Sequence, residues 1–379
     1  MRRIAIITGS RGEYGYIRPI IKLIENDPDL DYELIVTNMH LLPDFGSSYR
    51  EIEKDNLRIS QKIPMTLAGY TNVTMAKSLA VFMLSITDTF ERIKPDIVLL
   101  AGDRGEQLIS AIVGAHMNIP VAHIQAGELS GNVDGMSRHA ITKFAHIHFA
   151  SNIDAAQRLL NMGEEEFRVK LVGAPQLDEF KQCLFTFPEN VYSKFHLDSE
   201  EPLVLLVQHP VTEESWKSGT QMEETLKAIC KLKLQTLLVY PNNDAGSVMI
   251  QKKIEEYRKP FIHVERNLKR EDYAGLMNAA DVIVGNSSSA LLEAPSFELP
   301  AVNIGRRQLG RYQGINVINV DHNSEQIEVA IKKALSEEFK QKVKGMENPY
   351  GDGTASGKIV NILKSVEIDQ RLLNKKLTY

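Results

Sequence analysis

The chain predicts an α/β protein made of two doubly wound parallel-sheet domains in tandem, and three observations carry that reading. Short apolar runs that end in glycine or polar residues alternate with segments of helical period along nearly the whole chain. The alternation pauses over residues 186–202, TFPENVYSKFHLDSEEP, which has prolines, acids and no sustained period, and then restarts. A length of 379 residues is long for one core and comfortable for two domains of ordinary size.

Residues 2–8 read as a buried strand, GSRGEYG (9–15) as a glycine-rich loop and YIRPIIKLIE as a helix. YELIVT is the next strand and ends near His40, and Val73 to Ile93 has the period of a long amphipathic helix. DIVLLAG, IPVAHIQAG, IHFAS and VKLVGAP continue the series, so a Rossmann-like domain is expected over 1–190. With 186–202 as linker, PLVLLVQHP, QTLLVYPNND, FIHVE, ADVIVGNSSS and PAVNIG supply five strands of a second Rossmann-like domain over 200–350. Residues 351–379 hold a capped helix that closes the second domain or crosses back onto the first.

A composition of 43% hydrophobic and 25% charged residues is that of an average globular protein. A net charge of -5 gives no blanket attraction to nucleic acid or to an anionic membrane. Met1-Arg2-Arg3 leads into IAIIT, too short for a signal peptide, and the apolar runs read as too short to span a membrane, so a cytoplasmic location is expected. Cys183 and Cys230 fit neither a disulfide framework nor a zinc site.

The chemistry-bearing residues gather where strands end, the place where open α/β sheets bind ligands. Asp103 and Arg104 follow DIVLLAG, Glu128 follows IPVAHIQAG, and Asp134, Arg138 and His139 come within one loop and helix start. Asp103, Glu128 and Asp134 suit a set of carboxyls with separated pKa values, one base and one acid; the alternative is that Asp103 caps a helix and Asp134 makes a turn. Gly9, Gly12 and Gly15 miss the dinucleotide spacing, leaving Arg11 either beside an anion or in solvent. Ser287 and Ser288 of GNSSS precede an apolar helical run, where a helix dipole favours phosphate or serines simply cap; Glu293, a turn further on, faces the ligand or the surface. Arg306, Arg307 and Arg311 add positive charge there. His209 ends a strand as a structural donor or a catalyst, Asn242, Asn243 and Asp244 make a turn or ligand contacts, and His146 and His148, on one strand face, read as core or hydrogen-bonding residues before metal ligands.

In this order over nearly the whole chain, GDR, HIQAGE, the Asp134 loop, RHAITK, QHPVT, PNNDAGS, GNSS, RRQLGR and YGDG resemble the hydrolysing UDP-N-acetylglucosamine 2-epimerases of sialic-acid biosynthesis. The resemblance implies the two-domain glycosyltransferase-B (GT-B) architecture with the ligand between domains, and conversion of UDP-GlcNAc and water to N-acetylmannosamine and UDP without metal or redox cofactor. It also implies a homodimer or homotetramer. The C2 hydrogen has no adjacent carbonyl to acidify it, so it leaves only as UDP departs from C1, giving a 2-acetamidoglucal to which water adds. By resemblance and position, Arg11, His209, Ser287, Ser288, Arg307 and Arg311 serve the diphosphate, and His40, Arg104, Arg138, Asn243, Asp244 and Glu293 are further ligand contacts. Asp103 and Asp134 are the expected proton-transfer residues, with Glu128 supporting.

One departure stands inside the catalytic set. Gln125, in HIQAGE, occupies the place of a glutamate in the family's usual HIEGGE, and glutamine transfers no proton at neutral pH. Gly135 likewise replaces an acid that often follows the Asp134 position. Either the remaining acids carry the protons, or the substrate is another UDP-sugar such as UDP-N,N'-diacetylbacillosamine, or activity is reduced. A GT-B glycosyltransferase and a UDP-sugar sensor without turnover are the readings from other classes.

Overall fold

A computed structural model of the chain describes residues 1–43, 46–68, 72–129, 133–241, 246–266, 268–376 and 378; the side chains of Asn72, Val133, Asp134 and Thr212 lie outside that description. The chain forms two compact units, one of residues 1–178 with 350–379 and the other of residues 179–349.

The first unit holds seven parallel strands: β1 (Arg2–Thr8), β2 (Leu30–Thr37), β3 (Ile59–Ile63), β4 (Ile97–Ala101), β5 (Val121–Ile124), β6 (Ile147–Ala150) and β7 (Val169–Leu171), in the order β3-β2-β1-β4-β5-β6-β7. Side chains alternate across the sheet, so Ile4 and Ile6 join one core with Ile17, Ile20, Ile21 and Ile24 of the helix Arg11–Glu25. Ala5 and Ile7 face the other, with Phe82, Ile86 and Phe90 of the helix Asn72–Ile93. Strand order reverses between β1 and β4, which makes the loops after those strands the switch-point loops of the sheet. ISQKI had no strand signal because its burial is mixed, and it pairs at the edge, against β2 only.

The second unit repeats the architecture with β8 (Leu203–Val207), β9 (Gln235–Val239), β10 (Ile262–Glu265), β11 (Val282–Gly285), β12 (Ala301–Ile304) and β13 (Val317–Val320), in the order β10-β9-β8-β11-β12-β13. Its switch point lies between β8 and β11. The half-exposed edge strand β13 was not among the five expected.

Two expectations change, and of the two courses left open for residues 351–379 the chain takes one. The boundary falls at 178/179, and the expected linker contains a helix, Pro188–Phe195, whose Val191 and Phe195 are buried and which packs on the helix Arg270–Ala279. Proline at its first position supplied a helix signal within a stretch that otherwise reads as loop. The chain also crosses back: Ile359, Val360 and Leu363 of the helix Ala355–Ser365 enter the first unit's core, and Asp178 accepts from Ala355 N at 3.1 Å and Ser356 N at 2.7 Å, capping that helix. Finally, Val73–Ile93 is long and apolar enough to cross a membrane by length and composition. Phe82, Ile86, Thr89 and Phe90 form its buried stripe against the sheet, and Lys77, Asp88, Glu91 and Arg92 interrupt its exposed side, as in an amphipathic helix packed on one face.

Candidate active site

In the first unit the site begins behind β1. Ser10 caps the helix Arg11–Glu25, and Glu13 reaches back so that its Oε2 accepts from Gly9 N at 2.6 Å and Ser10 N at 3.0 Å, a capping box. The expected glycine-rich loop is therefore mostly the first turn of a helix. Beneath it lies a second buried carboxyl, Glu106, which accepts from Arg104 Nε and Asn38 Nδ2, each at 3.1 Å. A Cβ at Gly9 would fall 2.0 Å from Glu106 Oε1, so only glycine lets the two elements approach. Burial, and then the neighbouring Glu106, push the Glu13 carboxyl up to about 8, opposed by Arg104. Glu13 thus carries a proton at neutral pH. Neither glutamate was a sequence candidate; Ser10-x-x-Glu13 is a capping-box signature that would have singled out Glu13.

That proton has a measurable consequence. The ordinary glutamate value is 4.5 and the folded value is about 8, so the folded state holds the extra proton and its contribution to stability is lost as pH rises from 4.5 through 8. Glu13→Gln, neutral throughout, is expected to remove a slope of up to about 1.4 kcal/mol per pH unit in that window. Denaturant midpoints of both proteins from pH 5 to 9 check this: their difference should favour the variant increasingly until about pH 8 and then level off.

Across the switch point, Asp103 follows β4 with its side chain 19% exposed, enough to meet a ligand, and Arg138 Nη2 donates to its Oδ2 at 2.5 Å. Arg138 is buried, and its Nη1 donates to the Gln125 carbonyl oxygen at 2.7 Å. Burial works against its charge, but Asp103, Glu128 and Tyr16 hold its pKa above the usual arginine value. Glu128 is buried and accepts from Ser151 Oγ. His123 Nε2 donates to the Gly102 carbonyl oxygen at 2.6 Å, and burial lowers the imidazole pKa to about 3. Asp103, Arg138, Gln125, Glu128 and His123 therefore form one polar cluster built on the ends of β4, β5 and β6. Asp134 begins the helix Val133–Phe144, with its side chain outside the described residues.

Two expected contacts change character. His40 is fully buried with both ring nitrogens engaged, Nε2 with Thr8 Oγ1 at 3.0 Å and Nδ1 with Ser48 Oγ at 2.7 Å, and burial lowers its pKa to about 4. It joins the loops after β1 and β2 rather than facing a ligand. Arg11 is 43% exposed in its side chain and pairs with Glu51 at 2.9 Å. His146 and His148 take hydrogen-bonding roles: His146 Nδ1 accepts from Val121 N, and His148 Nε2 meets Glu164.

In the second unit the loops after β8 and β11 are tied reciprocally. His209 N donates to Asn286 Oδ1 at 2.7 Å and Asn286 Nδ2 donates to the His209 carbonyl oxygen at 2.9 Å. The Asn286 carbonyl oxygen in turn accepts from Arg307 Nη1 at 3.2 Å and Gln308 Nε2 at 2.9 Å, so QHP, GNSS and RRQ converge on one asparagine. Burial, then Arg307, lower His209 to about 3, so its imidazole is neutral at neutral pH. Ser287 Oγ lies 2.8 Å from Ser289 Oγ, which also contacts Tyr273 OH at 2.6 Å. Ser288 precedes a helix of only four residues, Ser289–Leu292, too short for the expected dipole; anion binding here would rest on arginines and hydroxyls. Both Glu293 oxygens accept from Arg270 Nη1, at 3.0 and 3.1 Å, which fixes the carboxylate in an ion pair. Arg306 pairs with Glu214, and Arg311 Nη1 donates to Gln308 Oε1 at 3.4 Å. Asn242, Asn243 and Asp244 lie outside the described residues.

Comparisons with known proteins give the family and the fold. A family model described as UDP-N-acetylglucosamine 2-epimerase matches residues 22–364. The chain is 38% identical to a Legionella pneumophila protein named UDP-N,N'-diacetylbacillosamine 2-epimerase (hydrolyzing), over 100% of both chains. It is 33% identical to a Neisseria meningitidis UDP-N-acetylglucosamine 2-epimerase, over 89% of this chain and 88% of that one. The crystal structure of UDP-GlcNAc 2-epimerase from Neisseria meningitidis bound to UDP-GlcNAc superposes with a TM-score of 0.82 at 19% identity, covering 96% of this chain and 99% of that one, a likeness of fold. With two Rossmann-like sheets, polar clusters at both switch points and a family match across most of its length, the chain belongs to the UDP-N-acetylglucosamine 2-epimerase family and is a hydrolysing UDP-sugar 2-epimerase.

Proposed function

We propose that the chain cleaves UDP-N,N'-diacetylbacillosamine with inversion at C2 of the sugar, with UDP-GlcNAc as the slower substrate. The observation that carries the order is the 38% identity across all of both chains with the Legionella protein, against 33% over 89% of this chain for the Neisseria one.

In this reading Asp103 takes the C2 proton while the C1–O bond breaks; the C–H electron pair becomes the C1=C2 double bond and UDP leaves with the C–O pair. Water then adds across the glycal, its oxygen to C1 and a proton to C2 on the opposite face. The Arg138 ion pair supports Asp103 as the base, because a fixed guanidinium aims the carboxylate. Asp134, at the start of its helix, gives the new proton to C2 and regains one from the attacking water, with Glu128, hydrogen-bonded by Ser151, supporting, and Asp103 releases its own proton to solvent. Arg307, neutral His209 and the Ser287–Ser288 hydroxyls meet the departing diphosphate.

Incubating the protein with each UDP-sugar in deuterated water and following products by NMR tests this. Free UDP and a free sugar deuterated at C2 with inverted configuration are expected, with kcat/KM about 10-fold higher for the diacetylated substrate. No UDP from either sugar would sink the reading, and protium retained at C2 would favour a glycosyltransferase.

We also infer that the chain pairs with a second copy through the helix Asn72–Ile93. Val73, Val81 and Leu84 are exposed on it, and two antiparallel helices in the register that sets Val81 against the partner's Leu84 also set Lys77 against the partner's Asp88. A dimer mass in light scattering, converted to monomer by Leu84→Glu with turnover assayed alongside, is the expected result; a monomeric wild type overturns it.

A further inference from the structure

We propose that Tyr273 is a positioning residue for the leaving diphosphate: through Ser289 it commits the hydroxyl hydrogen of Ser287 outward, as a donor to a phosphate oxygen. The inference rests on the reading above that Ser287 meets the diphosphate.

The observation is a row of three hydroxyls in the second unit. Tyr273, on the helix Arg270–Ala279, places its OH 2.6 Å from Ser289 Oγ, and Ser289 Oγ lies 2.8 Å from Ser287 Oγ in the loop after β11. Both serines are buried, so the row has a direction that its own chemistry must set. Each hydroxyl brings one hydrogen, and a phenol is a stronger acid and a weaker acceptor than an aliphatic alcohol. Tyr273 therefore donates to Ser289, and Ser289, having accepted, spends its hydrogen on Ser287. Ser289 N adds a second, longer donation to Ser287 Oγ at 3.4 Å. Ser287 thus accepts from inside the protein, and its own hydrogen is the one left for a further partner.

Tyr273 also borders Ser287, so without a ligand that hydrogen turns back toward the phenol oxygen. A phosphate oxygen is charged, and hydrogen bonds to a charged acceptor are about twice as strong as neutral ones, so an arriving diphosphate draws the hydrogen outward. The row then runs one way from Tyr273 to the ligand, each bond polarising the next. Burial pushes the Tyr273 phenol up to about 12, so the first hydrogen of the row is in place at neutral pH.

The test measures affinity for UDP by calorimetry and for uridine by NMR titration, because uridine keeps base and ribose and lacks the phosphates. Tyr273→Phe keeps the ring and removes the hydroxyl; Ser289→Ala breaks the row at its middle. Each is expected to raise the dissociation constant of UDP about 3- to 10-fold and to leave that of uridine within about 2-fold of wild type. In a Ser287→Ala background, Tyr273→Phe is expected to cost less than about 1.5-fold, since residues that act through one hydroxyl are not additive. A tyrosine that merely packs the loop would cost the same in both backgrounds. Unchanged UDP affinity in Tyr273→Phe, equal losses for UDP and uridine, or a full cost retained in the Ser287→Ala background overturns the inference. Unchanged UDP affinity in Ser287→Ala alone overturns the reading of Ser287 as a diphosphate contact, and this inference with it.

Discussion

Asp103→Asn is expected to lower kcat by roughly 10³-fold while leaving affinity for UDP within about 2-fold. Asparagine matches the carboxylate in shape and still offers Arg138 an oxygen, so the cluster should keep its geometry and lose only the capacity to accept a proton. Incorporation of C2 deuterium should fall with turnover, because the proposed reaction makes the proton transfer and the departure of UDP one event. Single-turnover release of UDP and calorimetric titration with UDP check the two halves separately. A kcat within about 10-fold of wild type would move the base to another carboxyl. The Arg138 pair also sets what the companion Arg138→Met does: removing the guanidinium takes one donor from Asp103 and from the Gln125 carbonyl together, so KM and kcat should both suffer, a pattern distinct from the loss in kcat alone.

Much of this arrangement was legible before any coordinates, and the reasons are physical. Buried parallel strands such as LVLLV and IVLLA are continuous apolar runs that stop abruptly, so their ends, where ligands bind, are marked in the sequence. That is why Asp103, Glu128, His209 and Ser287 could be placed at strand ends from spacing alone. Edge strands β3 and β13 escaped because exposed faces dilute the apolar signal. His40 was misjudged for a different reason. Position after a strand says that a side chain is near the crevice and says nothing of whether it turns inward, and here Thr8 and Ser48 take both nitrogens. Glu13 and Glu106 show the converse, since a charged residue in the first turn of a helix reads as surface until the sheet is known to cover it.

Arg168→Leu is expected to destabilise the first unit by about 3–5 kcal/mol. The side chain is fully buried, and it donates to the carbonyl oxygens of His146, Leu372, Arg371 and Asn374 at 3.2, 2.6, 2.8 and 3.3 Å, and to Glu165 Oε2 at 2.8 Å. Leucine offers none of these donors, leaving the buried carbonyls of His146 and Leu372 without this partner and those of Arg371 and Asn374, in part-buried bonds, to water. The neighbouring Glu164 is held at about 2, against its burial, by His148 and Lys375, so this second clamp on the C-terminal segment is present above pH 4.5 and weakens as pH falls toward 2. At neutral pH Lys375 should therefore keep residue 375 seated in the variant while residues 371–374 loosen. A fall in Tm of roughly 6–10 °C, with protease cleavage confined at first to 366–374, is the expected outcome. The helix Ala355–Ser365 should stay protected, because Asp178 caps it and Ile359 and Leu363 hold it in the core independently of Arg168. A Tm within about 2 °C of wild type would mean that the carbonyls find other donors and that the C-terminal crossing is secured by apolar packing alone.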